Sequence, residues 1–114
     1  MNKLLIFLFL LQSQDKLIFE NPFFHLGKIK SNSEVVVEFK VINRNTHDIR
    51  IYSVTSTCGC TIPLYPKSIP SKKSIIIKAI FRPEHMRGLV KKELVLLTDD
   101  QTKYYKLEFD AEIY

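Results

Sequence analysis

The chain has 114 residues, 46% of them hydrophobic and 25% charged, which is the balance of one folded domain and not of a disordered segment. Its net charge is +5, with 17 basic against 12 acidic residues. Two cysteines and three glycines exclude a disulfide-dense scaffold, a four-thiolate zinc site and a collagen-like repeat.

The first element is apolar. Met1-Asn2-Lys3 precedes an unbroken run from Leu4 to Leu11, and Gln12-Ser13-Gln14-Asp15 follows. One positive charge, a short greasy run and a polar stretch predict a secretory signal peptide over residues 1–14. Eight apolar residues reach about 12 Å as a helix, against a hydrocarbon core of roughly 30 Å. They are too few to span it, and the mature chain is expected to carry no integral membrane segment. Ser13 is the one small residue near the expected cut, so the cleavage signal is weak. Cleavage there removes Lys3 and leaves residues 15–114 as a single domain in the periplasm or outside the cell.

From residue 15 onward the apolar positions repeat every two residues, the period of a half-buried strand. Strands are expected at 17–20, 23–29, 34–43, 48–56, 74–82, 88–98 and 103–113. Val35, Val37, Phe39 and Val41 share one face, and so do Ile49 and Ile51. Ile75, Ile77, Ala79 and Phe81 alternate with Ile76, Lys78, Ile80 and Arg82. The last strand alternates most clearly, with Tyr105, Leu107, Phe109, Ala111 and Ile113 opposite Tyr104, Lys106, Glu108, Asp110 and Glu112. A slip of one residue would bury the whole charged set, so its register is tightly specified. Phe23 and Phe24 are expected inside with Phe39, Phe81 and Phe109, whereas Tyr52, Tyr65, Tyr104 and Tyr114 read as exposed.

Turn chemistry separates the strands. Residues 30–33 and 43–48 are rich in Ser and Asn, residues 98–101 form the last turn, and Pro83 to Gly88 is a loop. Pro63, Pro66 and Pro70 exclude a central strand before Ser74.

Four segments occur in a characteristic order: Phe24-His25-Leu26-Gly27-Lys28-Ile29, Phe39-Lys40-Val41-Ile42-Asn43, Thr57-Cys58-Gly59-Cys60-Thr61 with Pro63, and Ile69-Pro70 ahead of a β-run. This set resembles the bacterial immunoglobulin-like family known as domain of unknown function 1573, over roughly residues 17–113. The resemblance implies a seven-stranded immunoglobulin-like β-sandwich of the pilus-chaperone and major-sperm-protein kind, in an exported protein. It brings no known activity. The family places Gly where this chain has Asn45 and Ser71, which implies left-handed backbone that Asn adopts more readily than Ser.

Cys58-Gly59-Cys60 is the motif with most chemical potential. In an extended strand the two Cα atoms would lie about 6.6 Å apart, at the far edge of disulfide geometry. Gly59 would allow the bend that brings them closer. Three readings stand side by side. The pair forms a labile disulfide in an oxidising compartment, or serves as soft ligands for Cu(I) or Zn completed by His47 or His85, or closes a strand as small apolar side chains. His25, His47 and His85 lack the spacing of a metal-binding pair. No serine elbow, carboxylate pair or phosphate loop is visible, so neither catalytic residues nor a cofactor are expected. Lys72-Lys73 falls in a turn and Lys91-Lys92 on opposite faces of a strand, which gives nucleic acid no basic face to bind. The expected function is therefore a non-enzymatic, monomeric module that contacts an unknown protein of the cell envelope, or serves it structurally. The alternative is thiol-based redox or soft-metal chemistry at Cys58 and Cys60.

Overall fold

A computed structural model describes residues 17–100 and 104–114. The expected signal peptide over residues 1–14 lies outside the described residues.

Among the described residues nine strands follow one another: β1 (Leu17–Phe19), β2 (Phe23–Ile29), β3 (Val35–Asn43), β4 (Ile49–Ser56), β5 (Thr61–Leu64), β6 (Ser68–Ile69), β7 (Ser74–Phe81), β8 (Gly88–Thr98) and β9 (Tyr104–Ile113). They form a four-stranded sheet in the order β1-β3-β7-β5 and a five-stranded sheet in the order β2-β9-β8-β4-β6. All pairings are antiparallel except β2 with β9. Seven strands match the expected ones to within a residue or two, and β5 and β6 are additions. Both are short. β5 carries Pro63 and lies at the edge of its sheet, where a missing N–H breaks no central ladder.

The alternation seen in the sequence becomes the core between the layers. Val37, Phe39 and Val41 of β3 and Ile77, Ala79 and Phe81 of β7 face Leu94 and Leu96 of β8 and Leu107, Phe109, Ala111 and Ile113 of β9, all buried. Two edge-to-face ring pairs cross the interface: Phe81 with Phe109 at 5.1 Å and Phe24 with Phe39 at 5.4 Å. A bulge between Ile51 and Ser53 shifts the phase of β4, so Val54 continues the buried face begun by Ile49 and Ile51. Phe23 departs from the expected core position. It lies half-buried with its ring 4.8 Å from that of His25 and 5.5 Å from Lys91 Nζ.

Each sheet edge is blunted. β1 has three residues, β6 has two and stops at Pro70, β5 contains Pro63, and β2 is bulged at Gly27, whose φ is +77°. Short, bulged or proline-bearing edges resist pairing with a stray strand.

The left-handed backbone implied at Asn45 and Ser71 is found instead at Lys72, with φ 62°. Asn45 is buried and serves as a hydrogen-bonding residue: its N–H and its side-chain amide donate to Asn43 Oδ1 at 2.8 and 2.9 Å. Ser71 donates its hydroxyl to the Asn45 carbonyl at 2.7 Å and its N–H to Asp48 Oδ1 at 2.9 Å. The 44–48 loop and the 70–73 turn are thereby tied together.

Candidate functional site

The cysteine motif occupies the corner where the chain leaves one sheet for the other. β4 ends at Ser56 in the five-stranded sheet, and β5 begins at Thr61 in the four-stranded sheet. Four residues turn between them. The Ser56 hydroxyl donates to the Cys58 carbonyl at 2.9 Å and accepts from the Cys58 N–H at 3.2 Å. Thr61 N–H donates back to the Cys58 carbonyl at 3.2 Å, and Arg82 N–H donates to the Cys60 carbonyl at 2.8 Å. The last bond ties the turn to the end of β7.

Within this turn Cys58 and Cys60 are joined as a disulfide, with Cα atoms 5.2 Å apart. The chain has bent away from the 6.6 Å or so of an extended strand. Gly59 does not supply the bend through unusual backbone: its φ is outside the left-handed region, and a Cβ there would meet nothing within 4 Å. Both cysteines are half-buried and Gly59 is exposed. Cys60 N–H points at Cys58 Sγ, 3.1 Å away, while Cys60 Sγ lies 3.8 Å from Thr61 Oγ1. Thr57 is exposed, Thr61 is buried, and Pro63 is half-buried on β5.

The histidines do not gather at this turn. His47 precedes β4 and the cysteines follow it, so the strand separates them by about 25 Å. His47 therefore cannot complete a metal shell with Cys58 and Cys60. His85 is exposed in the loop after β7. Among the described residues no group of three or more His, Cys, Asp or Glu is placed to hold a metal ion.

Two surface features were not read from the sequence. One is a polar cluster on the outer face of the five-stranded sheet. His25 Nδ1 lies 3.0 Å from each oxygen of Asp110, and Lys91 Nζ lies 2.9 Å from Glu108 Oε2. Hydrogen bonding to the Glu108 carboxylate, with its charge, holds the Lys91 ammonium above its ordinary pKa. An open groove of about 440 Å³ runs beside this cluster, where Lys28 and Lys91 meet Asp110 and Glu112. Its mixed charge selects no ligand of one sign.

The other feature is apolar, on the outer face of the four-stranded sheet. Val36, Ile80 and Ile62 stand directly opposite one another across β3, β7 and β5. Val36 is 49% exposed, Ile62 39% and the neighbouring Leu64 48%. The charges around the row are paired on the same face: Glu34 with Arg82 at 2.6 Å, Glu38 with Lys78 at 3.8 Å, and Glu20 with Lys40 at 3.5 Å. The row was hidden because two of its members are separated from the third by tens of residues and meet only through strand register.

Two packed sheets with these connections define an immunoglobulin-like sandwich. The chain belongs to the family of proteins of unknown function DUF1573, whose model matches residues 17–113. Among solved structures it is similar to a protein of unknown function from Porphyromonas gingivalis W83, at 12% identity and a TM-score of 0.75, covering 89% of this chain and 50% of that one. It also resembles the ASH / PapD-like domain 7 of human CEP192, at 11% identity and a TM-score of 0.71, covering 87% and 85%. A third likeness is to WR4, a member of the MSP family of C. elegans, at 7% identity and a TM-score of 0.55, covering 89% and 100%. At these identities the likeness is one of fold. The chain spans half the length of the Porphyromonas gingivalis protein. No curated protein matches the sequence. Among the described residues no helix is long and apolar enough to cross a membrane.

Proposed function

We propose that the chain is an exported, non-enzymatic immunoglobulin-like module, periplasmic or secreted, that binds another protein of the cell envelope through the outer face of its four-stranded sheet. The observation that carries this reading is the outward row Val36–Ile80–Ile62, with Val36, Ile62 and the neighbouring Leu64 exposed and Ile80 half-buried between them. A contiguous apolar strip rimmed by polar groups is the usual mark of a protein-binding surface. The surrounding charges cancel in pairs, so the face repels neither acidic nor basic partners. Blunted edges argue for binding by a face over strand addition. The apolar run from Leu4 to Leu11 supports export.

The test compares capture from the envelope fraction by the native chain and by an Ile62→Glu, Ile80→Glu double variant, with thermal unfolding measured on both. The reading expects a discrete protein retained by the native chain and lost with the folded variant. Equal capture by both would refute it.

A further inference from the structure

We propose that Cys58–Cys60 is a reversible thiol–disulfide couple carried on a domain that stays folded in both states. This inference stands apart from the binding face. Three observations lead to it.

The bridge closes a segment of only three residues. The restraint a disulfide places on the unfolded chain grows with the logarithm of the loop it closes, so this one is near the minimum. The turn is held without it. Ser56 Oγ, the Thr61 N–H and the Arg82 N–H bond the backbone of Cys58 and Cys60 on both sides, and none of those bonds uses the S–S link. Opening the link leaves the crossover between the sheets tied in place. Access is the second point: both cysteines are half-buried next to exposed Gly59, with open space where a side chain would be. An external thiol reaches them without unfolding the domain.

The third observation is an asymmetry. Cys60 N–H aims at Cys58 Sγ at 3.1 Å, whereas Cys60 Sγ lies 3.8 Å from the Thr61 hydroxyl. A backbone donor favours the thiolate at Cys58, and the more stable thiolate leaves faster. An external thiolate therefore attacks Cys60 Sγ. The S–S bond breaks, its electron pair goes to Cys58 Sγ, and Cys60 is left in a mixed disulfide. A second external thiolate attacks the external sulfur of that mixed disulfide and releases Cys60 as a thiolate. The external pair is oxidised to its own disulfide by two electrons, and the two cysteine sulfurs then take up protons from water. The Cys58 thiolate reverses the first step by attacking Cys60 Sγ and expelling the external thiol.

The experiment equilibrates the full chain with mixtures of reduced and oxidised glutathione, without denaturant, then quenches, alkylates and weighs it. Near-ultraviolet circular dichroism follows the fold. The expected result is a graded passage between a bridged form and one with two alkyl groups, with the near-ultraviolet spectrum kept throughout. A bridge that opens only when denaturant is added, a spectrum lost on reduction, or thiols that never close with oxidised glutathione would each overturn the proposal. Limited iodoacetamide on the reduced native chain, read by peptide mass, tests the asymmetry. Cys58 should be labelled about threefold faster than Cys60 at pH 7, a gain in thiolate partly offset by its lower nucleophilicity. Equal labelling, or faster labelling of Cys60, would contradict the stated direction of attack.

Discussion

The side-chain amide of Asn43 donates to the carbonyl of Ile69 at 2.8 Å, joining the end of β3 in one sheet to β6 in the other. The same fully buried side chain donates to the His47 carbonyl at 3.1 Å and accepts two bonds from Asn45. No buried side-chain polar atom among the described residues lacks a partner. A satisfied buried network of this kind fixes one arrangement, because each alternative strands a donor or acceptor away from water. Asn43→Ala should cost about 2–4 kcal/mol in urea unfolding. Asn43→Asp keeps the shape and loses both donors, so it should be at least as damaging at neutral pH. An Asp variant as stable as the native chain would show that shape, and not hydrogen bonding, holds this end of the sandwich.

Phe109 and Phe81 meet edge to face between the two sheets, and Ile77 is fully buried further along β7, opposite Phe39. Truncating Phe109 to Ala should lower stability by about 3–5 kcal/mol, and Ile77→Ala by about 2–5. Either is a large part of the 5–15 kcal/mol or so that a domain of this kind has. Chemical denaturation checks both, and losses below about 1 kcal/mol at both positions would contradict the assigned faces.

Much of this was legible in the sequence, for a physical reason. Strands with one wet and one dry face write their orientation as alternation, and β3, β7 and β9 do so without interruption. β5 and β6 were missed because two to four residues beside Pro63, Pro66 and Pro70 carry no period. Phe23 and Phe24 are neighbours, so alternation admits only one of them inside: the register sets Phe24 opposite buried Phe109 and Phe23 opposite outward Glu108, where its ring packs against His25 and Lys91. The composition of 43–48 predicts a loop, and the family resemblance implies a left-handed Asn45 in it. In the structure Asn43 and Asn45 bond each other and the left-handed residue is Lys72, a fact that depends on a partner segment 26 residues away. Spacing marked Cys58 and Cys60 as the chemical motif. It carried no sign that His47 stands a strand's length away, nor that Arg82 anchors the turn.

Lys72 sits at φ 62°, where a side chain costs about 1 kcal/mol that Gly avoids. Its ammonium donates to the Arg44 carbonyl at 2.9 Å on the surface, a bond of small net worth. Lys72→Gly should therefore raise the thermal midpoint by a few degrees, equivalent to about 0.5 kcal/mol. A drop in the midpoint would mean that the Lys72–Arg44 bond outweighs the backbone strain.

The cysteine bridge should contribute little to stability. Chain-entropy reasoning for a three-residue loop gives about 1–2 kcal/mol, so a Cys58→Ser, Cys60→Ser double variant should fold and unfold slightly earlier. Gly59→Ala should be close to neutral, because neither φ nor space requires glycine there. Differential scanning calorimetry reads both variants, and a loss above about 4 kcal/mol in the double variant would make the bridge a structural staple.

Lys91 gives a pH dependence with a definite sign. Its folded pKa is raised above 10.5 by Glu108, so the folded state holds this proton more tightly than the unfolded chain. The stabilisation is fully present below the unfolded value and fades as the pH climbs through the folded one. Lys91→Met should flatten that alkaline decline, as measured by thermal midpoints from pH 7 to pH 12. An identical alkaline decline in the variant would remove Lys91 from the account.

The most direct measurement places a photo-crosslinking residue at Ile62, on the exposed row, and separately at Tyr52, 57% exposed on the five-stranded sheet, in the living source organism. The account predicts one discrete adduct from position 62 in the envelope fraction and none from position 52. Adducts of the same kind from both positions, or from position 52 alone, would contradict it, as would no adduct from position 62.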